Sequence, residues 1–205
     1  MRERPILFSG EMVRAILDGR KSVTRRVVKF NAAGRVKEPG SHRNWHRDDP
    51  DAVKACPYGQ PGDRLWVREA WAPLESVIVG HQRIHKCAYR ATNGGNMVEF
   101  SPGCDYLVRW KPSIHMPRWA SRLTLEVVGV RVERVQEIGD EDAVKEGCKG
   151  FVMPMEPDQG STDGQSPAEE FRDLWDHINA SRGFGWDKNP WVWVVEFKRR
   201  EAKNG

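Results

Sequence analysis

Two segments of the chain carry apolar residues at helical spacing. The first places on one face Met12, Val13, Ile16 and Leu17. Ser9 can cap the start of this helix, and Gly19 is placed to end it. The second begins at Pro167, and its apolar face is formed by Phe171, Leu174, Trp175 and Ile178. The pattern therefore predicts two helices that each pack on a core through one face.

Strand-like runs outnumber the helices. Short apolar or alternating runs occur at residues 5–8, 65–67, 86–91 and 190–198, and the clearest run spans 121–135. Gly129 marks a bulge or bend within that run. Asp140 can cap a short helix, EDAVKEG, which Gly147 ends. Because strands and helices do not alternate regularly, this order favours an α+β fold, a small mixed β-barrel flanked by two to three helices, over a parallel sheet.

Polar segments separate these elements. We interpret residues 30–60, 92–105 and 150–166 as loops or insertions, since they are rich in glycine, proline or small polar residues. Residues 110–120, WKPSIHMPRWA, hold two prolines and two tryptophans, which indicates an ordered loop. A length of 205 residues fits one domain, 1–205, that carries these insertions.

The composition is that of a globular protein and excludes several classes. Hydrophobic residues make up 39% and charged residues 30%, and no apolar run approaches the roughly 20 residues that span a bilayer. The N-terminus has no apolar core of the signal-peptide kind, so we expect a cytoplasmic protein without a membrane partner. The absence of GxxxxGKS/T, GxGxxG, GxSxG and HExxH disfavours nucleotide-driven motors, Rossmann oxidoreductases and ordinary serine hydrolases.

Positive charge is concentrated in one short segment. The net charge is only +4, but ten consecutive residues hold five cations and no acid: Arg20, Lys21, Arg25, Arg26 and Lys29. Such a cluster directly after a predicted helix is a candidate contact for nucleic acid. The basic segment 198–203 is interpreted as a solubilising end.

Cysteines and histidines give only a weak metal signal. The four cysteines are widely spaced and form no CxxC, so in a reducing cytosol we expect free thiols. His81, His85 and Cys87 have ligand-like spacing, as do His42 and His46, but a zinc site needs four convergent ligands. We therefore predict neither a metal nor another cofactor.

Four motifs, in this order along the chain, resemble those of the ASCH domain family. They are GRKSVTRR, PGDRLWV, EDAVKEG and WVWVVEFKR, and together they span most of residues 5–199. The longer sequence segments at residues 56–71, 112–122 and 183–197 are similar to those of a phage or prophage branch of that family. The resemblance implies a PUA-like β-barrel. Some relatives are bacterial amidohydrolases that deacetylate N4-acetylcytidine, and others are described as ribonucleases or RNA-binding modules.

The resemblance also implies a catalytic set. In the amidohydrolase relatives a lysine, a threonine three residues later and a distant glutamate act together, and the matching positions here are Lys21, Thr24 and Glu146. The glutamate depends on an alignment through a variable region, so Glu69 is the reserve candidate. Arg26 also matches the family pattern, and we assign it to contact with an anion or base.

The residue types suit amide hydrolysis, which needs a nucleophile, a proton acceptor and a stabiliser of the oxyanion. Burial or nearby cations such as Arg25 would lower the pKa of Lys21, so that its amine could take a proton from Thr24 or from water. Glu146 could hold the lysine or protonate the leaving amine. The alternative is structural: a solvated lysine, a residue that begins a strand and an exposed helix carboxylate.

A second candidate set lies in the proline-rich loop. It comprises His115, Arg118, Trp119 and Arg122. A guanidinium and an indole can contact a nucleobase, although prolines and tryptophans also simply order loops.

Three functions therefore remain open. The first is a metal-free amidohydrolase acting on an N4-acylated cytidine or related modified nucleoside. The second is a module that binds RNA or modified bases without chemistry, and the third is a ribonuclease. The expected partner is a modified nucleoside or RNA, and the oligomeric state is not determined by the sequence.

Overall fold

The computed structural model describes residues 1–37, 42–46, 49–74, 77–79, 82–101, 104–152 and 164–200. The helices are α1 (Gly10–Leu17), α2 (Arg90–Asn93), α3 (Asp140–Glu146) and α4 (Pro167–Asn179). The strands are β1 (Glu3–Leu7), β2 (Val23–Val27), β3 (Arg35–Lys37), β4 (Asn44–His46), β5 (Arg64–Arg68), β6 (Trp71–Pro73), β7 (Val77–Val79), β8 (Gln82–Ile84), β9 (Cys87–Tyr89), β10 (Met97–Ser101), β11 (Cys104–Leu107), β12 (Thr124–Arg134), β13 (Phe151–Val152), β14 (Gly164–Gln165) and β15 (Trp191–Arg200). Short 3-10 turns lie at Pro50–Ala55, Ser113–His115, Arg118–Ala120, Val135–Glu137, Ala180–Arg182 and Trp186–Lys188.

A five-stranded mixed sheet organises the molecule, in the order β1-β5-β12-β15-β2. Strands β1 and β5 are parallel, and the other neighbours are antiparallel. The register of β12 against β15 shifts between Val127 and Gly129, which confirms the predicted irregularity. A Cβ at Gly129 would lie 2.9 Å from Oε2 of Glu196, so the Glu196 side chain would have to shift.

Both faces of the sheet are covered, which explains the nearly continuous apolar run of β15. Trp193 and Val195 point into a core shared with α1, β1 and β5. Val192 and Val194 point into a second core on the opposite face, where Trp175 of α4 packs. A strand buried on both faces reads as an unbroken apolar segment rather than an alternating one.

The α+β prediction is confirmed, with α1, α3 and α4 flanking the sheet. The sheet resembles a small barrel that is left open, since the described strand order ends at β1 on one side and β2 on the other. No helix among the described residues is long and apolar enough to cross a membrane.

Segments that we interpreted as loops contain regular structure. Within 30–60 lie the β3–β4 hairpin and a 3-10 turn, and Ala55 and Cys56 belong to the main core. Within 92–105 lies the start of the β10–β11 hairpin. Short polar hairpins are difficult to predict because their strands bury few apolar side chains. Within 150–166, β13 and β14 pair with each other, and residues 153–163 lie outside the described part of the chain.

The capping predictions are mostly confirmed. The hydroxyl of Ser9 accepts a hydrogen bond from the Met12 amide at 3.3 Å, and Pro167 opens α4. The prediction that Asp140 caps α3 is wrong, because Gly139 occupies the cap. Asp140 instead accepts a hydrogen bond from the amide of Ala168 at 3.0 Å, so it ties the starts of α3 and α4 together.

Candidate functional site

Lys21 lies in the tight connection between α1 and β2. The carbonyl of Ala15 accepts hydrogen bonds from the amides of both Arg20 and Lys21, at 2.9 and 3.0 Å. Gly19 takes the left-handed conformation, φ +73°, that this turn requires. The chain therefore reverses at once, and the Lys21 side chain points inward instead of into solvent.

Glu146, the last residue of α3, faces Lys21 across the interior. The Lys21 Nζ donates to Glu146 Oε2 at 2.5 Å and to the Glu146 carbonyl at 2.7 Å. The exposed fractions of the two side chains are 0% and 4%. Gly147 permits this approach, since a Cβ there would lie 3.2 Å from the methyl of Ala15 and 3.6 Å from Cβ of Lys21. The predicted lysine and glutamate, 125 residues apart, are thus a direct buried ion pair.

Burial lowers the pKa of Lys21, and this effect exceeds the opposing one of the Glu146 carboxylate. The charge of Arg26 lowers the pKa of Lys21 further. The ring of Phe8, centred 5.8 Å from Nζ, forms part of the apolar surroundings. A lysine whose pKa is lowered can exchange a proton with its carboxylate partner more readily than an exposed one.

Arg25 holds the helix that carries Glu146. Its Nη2 donates to Glu133 at 2.6 Å and to Asp142 at 2.8 Å, and its Nη1 lies 3.5 Å from Glu146 Oε1. Arg131 donates to the same two carboxylates, Glu133 and Asp142. Although predicted as a substrate contact, Arg25 is engaged by protein carboxylates and is suited to orienting Glu146.

A cavity of about 450 Å³ opens beside this pair. It lies between the two outer strands of the sheet, with Leu7 of β1 and Thr24 of β2 in its wall. Its other lining residues are Met12, Arg25, Arg26, Val27, Lys29, Tyr58, Glu146, Phe171, Leu174, Trp175, Ile178, Asn179, Arg182 and Phe184. Lys21 lies behind Glu146 and does not line the cavity, so the carboxylate separates the amine from the open space.

Arg26 spans the gap between the outer strands. Its Nη2 donates to the Leu7 carbonyl at 2.6 Å, and its guanidinium lies 5.2 Å from the centre of the Phe8 ring. Its Nε is buried without a hydrogen-bond partner among the described residues. A buried donor left unpaired is costly, and the same holds for the Nε atoms of Arg4, Arg64 and Arg68. Burial also lowers the pKa of Arg26.

Glu69 and Arg122 form a separate pair, in which Glu69 is buried and Arg122 is partly exposed. The two guanidinium nitrogens Nε and Nη2 of Arg122 donate to the two oxygens of Glu69 at 2.9 Å each, and Tyr89 packs 4.1 Å below the guanidinium. Neither partner lines the cavity that Glu146 lines. The structure brings Glu146, and not the reserve candidate Glu69, to Lys21.

The remaining candidates lie on the surface of the proline-rich loop. Arg118 pairs with Glu3 at 3.0 Å, and His115 is exposed at the end of a 3-10 turn. Trp119 is 56% exposed and contacts the rings of Trp71 and His85 at 5.7 and 5.2 Å. None of these side chains lines the cavity, so the loop is spatially separate from the Lys21 site.

Among the described residues, no three histidine, cysteine or carboxylate side chains are grouped to hold a metal. His81 and the side chain of Cys104 lie outside the described part of the chain. The neighbouring His85 has partners of its own, and Cys87 is a half-buried free thiol.

Sequence reasoning missed one wall of the cavity. Phe171, Leu174, Trp175 and Ile178 were recognised as an apolar helix face, but part of that face borders the cavity. Tyr58 was missed because it falls within a segment interpreted as a loop. Arg182 was missed because it follows α4 and has no motif of its own.

Comparison with known proteins adds little beyond this geometry. No family model and no curated protein sequence matches the chain. A solved structure from Lactobacillus crispatus JV V101 aligns with 97% of this chain and 79% of its own, at 10% identity and a TM-score of 0.41. That structure is an ASCH domain. The likeness is too distant to carry a functional conclusion, which depends instead on the Lys21–Glu146 pair and its cavity.

Proposed function

We propose that this protein is a metal-free amidohydrolase that removes the acyl group from an N4-acylated cytidine or a related modified nucleoside. The observation that carries the proposal is the buried Lys21–Glu146 pair, 2.5 Å apart, beside a cavity that Thr24 also lines. The motif resemblance to ASCH amidohydrolases names the same three residues, which the fold brings to one place.

The surroundings of the cavity suit a nucleobase. Phe171, Trp175 and Tyr58 supply aromatic surface, and Asn179 supplies an amide that can pair with a base edge. A volume of about 450 Å³ lies within the range of small-ligand sites, roughly 300–1,000 Å³. The proposed occupant is therefore a flat polar ring with its acylated amine directed towards Glu146.

In the proposed reaction, water attacks the acyl carbonyl and the C–N4 bond breaks. Glu146 takes the proton from water and later delivers it to the departing N4, so that a carboxylic acid and a free cytosine amine result. Lys21 contacts Glu146 on the side away from the cavity, and its positive charge keeps the buried carboxylate ionised until Glu146 accepts the proton. Thr24 and Arg26 both line the cavity, and we assign the Thr24 hydroxyl and the Arg26 guanidinium to stabilising the carbonyl oxygen as negative charge develops.

The test measures the release of cytidine from N4-acetylcytidine. The reaction is run in the presence of chelator, and its products are separated by chromatography. We expect turnover by the wild type, and at least a ~100-fold loss with Lys21→Met or Glu146→Gln, the typical value of acid–base groups. Glu69→Gln is the control, because it also removes a buried carboxylate from an ion pair, but neither partner of that pair lines the cavity. Equal losses in Glu146→Gln and Glu69→Gln would assign the effect to stability and contradict the proposal.

Binding without chemistry is the second candidate, and one observation favours it. Lys21 does not reach the cavity, so its pair with Glu146 would serve only to hold α3 against β2 if no proton were transferred. In that case acetylcytidine or RNA would bind in a salt-sensitive manner and be recovered unchanged. RNA cleavage that persists in chelator would instead support the ribonuclease alternative.

A further inference from the structure

The mouth of the cavity carries an excess of positive charge. Four cations line the cavity, Arg25, Arg26, Lys29 and Arg182, against the single carboxylate of Glu146. Arg25 is neutralised by Glu133 and Asp142, outside the lining. The positive charge that remains is therefore available to a ligand.

Lys29 and Arg182 are the two exposed members of this group. Lys29 follows the end of β2, and Arg182 ends the 3-10 turn that follows α4. Within the described part of the chain, neither side chain has a hydrogen bond or an ion pair with a carboxylate. Many exposed cations elsewhere are paired, as Arg118 is with Glu3.

Two distant segments thus bring unpaired cations of the same sign to one opening. Arg182 is close enough to Arg26 for its charge to contribute to lowering the pKa of Arg26, after the larger effect of burial. Like charges gathered around a cleft raise the local concentration of anions and are relieved when an anion binds. Deeper in the cavity the wall is apolar, with Trp175 and Phe171, and is suited to a base rather than to an anion.

We infer that the substrate carries phosphate, with Lys29 and Arg182 binding a phosphate on the ribose while the acylated base enters the cavity. This inference rests on the proposed function and narrows its substrate from free nucleosides to nucleotides or RNA. Arg182 presents a fork of donors suited to phosphate oxygens, and Lys29 presents a compact charge.

The experiment compares three substrates with the same acetylated base: N4-acetylcytidine, its 5′-monophosphate, and a short RNA with one internal acetylcytidine. We expect wild-type kcat/KM to be at least about tenfold higher for the phosphorylated substrates, since a charge-assisted contact is worth about one factor of ten or more. Lys29→Gln and Arg182→Gln should each reduce this ratio, and the double variant should bring it close to one. If kcat/KM is the same for the mononucleotide and the RNA, one phosphate accounts for the preference. If kcat/KM is raised for the RNA alone, the substrate is a polymer.

Arg172→Gln is the matched control, because Arg172 lies on the same helix as the cavity wall but does not line the cavity. Its ratio should equal that of the wild type. Equal kcat/KM for nucleoside and nucleotide, or a preference that survives Lys29→Gln and Arg182→Gln together, would overturn the inference.

If no substrate is turned over, the amidohydrolase proposal fails but the phosphate site is still tested by calorimetry. Cytidine 5′-monophosphate should then bind at least about tenfold more tightly than cytidine at low salt, and the double variant should abolish the difference. Equal affinities of the wild type for the two ligands would overturn the phosphate site as well.

Discussion

Removal of the Lys21 ammonium should destabilise the fold, because it leaves the carboxylate of Glu146 buried without its main partner. In Lys21→Met, an apolar side chain of similar length leaves Glu146 with one ion-pair partner among the described residues, the Arg25 Nη1 at 3.5 Å, and with the more distant charge of Arg26. Both side chains of the pair are almost fully buried, so solvent hardly screens the isolated carboxylate. Breaking a buried pair from one side typically costs about 3–5 kcal/mol.

For a chain of this length, that loss corresponds to a fall in melting temperature of roughly 6–20 °C. Urea unfolding followed by circular dichroism measures the change in the free energy of unfolding directly. The double variant Lys21→Met/Glu146→Met removes both charges and should recover at least about 2 kcal/mol of the loss, because apolar replacements of whole buried pairs are often neutral.

The reasoning would be refuted if Lys21→Met cost less than about 1 kcal/mol, which is the range of exposed pairs. It would also be refuted if the double variant were less stable than Lys21→Met. In either case the Lys21–Glu146 contact would be mainly a consequence of packing elsewhere.

Two further outcomes follow from the site and its surroundings. Gly147 has φ +101° and packs against α1, so Gly147→Ala should lower the free energy of unfolding by about 2–4 kcal/mol, as measured in urea. Gly183 has φ +81° and open space around it, so Gly183→Ala should lower it by only about 1 kcal/mol. Equal losses would show that close packing at Gly147 does not add to the cost. Burial raises the pKa of Cys56 to about 11 and that of Cys148 to about 12. Iodoacetamide at pH 8 should therefore label both thiols at least about tenfold faster in urea than in the native protein, as measured by mass spectrometry. Rapid labelling of the native protein would contradict their burial.

The main elements of the fold could be predicted from the sequence because their patterns are local. The face of α1, the capped start of α4 and the apolar run of β15 each follow from residues within one turn or one strand. The hairpin at 35–46 could not, since its strands are three residues long and largely polar. The hairpin at 97–107 could not either, since a glycine- and asparagine-rich segment before it suggests a loop. Asp140 illustrates the same limit, because its hydrogen bond goes to α4, 28 residues away.

The candidate site was predicted through motif resemblance rather than physics. Spacing alone does not show that Lys21 meets Glu146, because their contact depends on the tight turn at Gly19 and on the close approach at Gly147. The role of Arg25 could not be anticipated either, since its three carboxylate partners come from β12 and α3. Lys29 was visible only as one charge among five, and Arg182 as an ordinary surface residue.

The central claim is that the Lys21–Glu146 pair performs amide hydrolysis and does not merely hold α3 in place. The most direct measurement is the rate of cytidine release from N4-acetylcytidine by Glu146→Gln and by Glu69→Gln, both compared with the wild type at the same folded fraction. The account predicts a rate at least about 100-fold lower for Glu146→Gln and a rate within about twofold of the wild type for Glu69→Gln. Release by Glu146→Gln at the wild-type rate, or no release by the folded wild type, would contradict it.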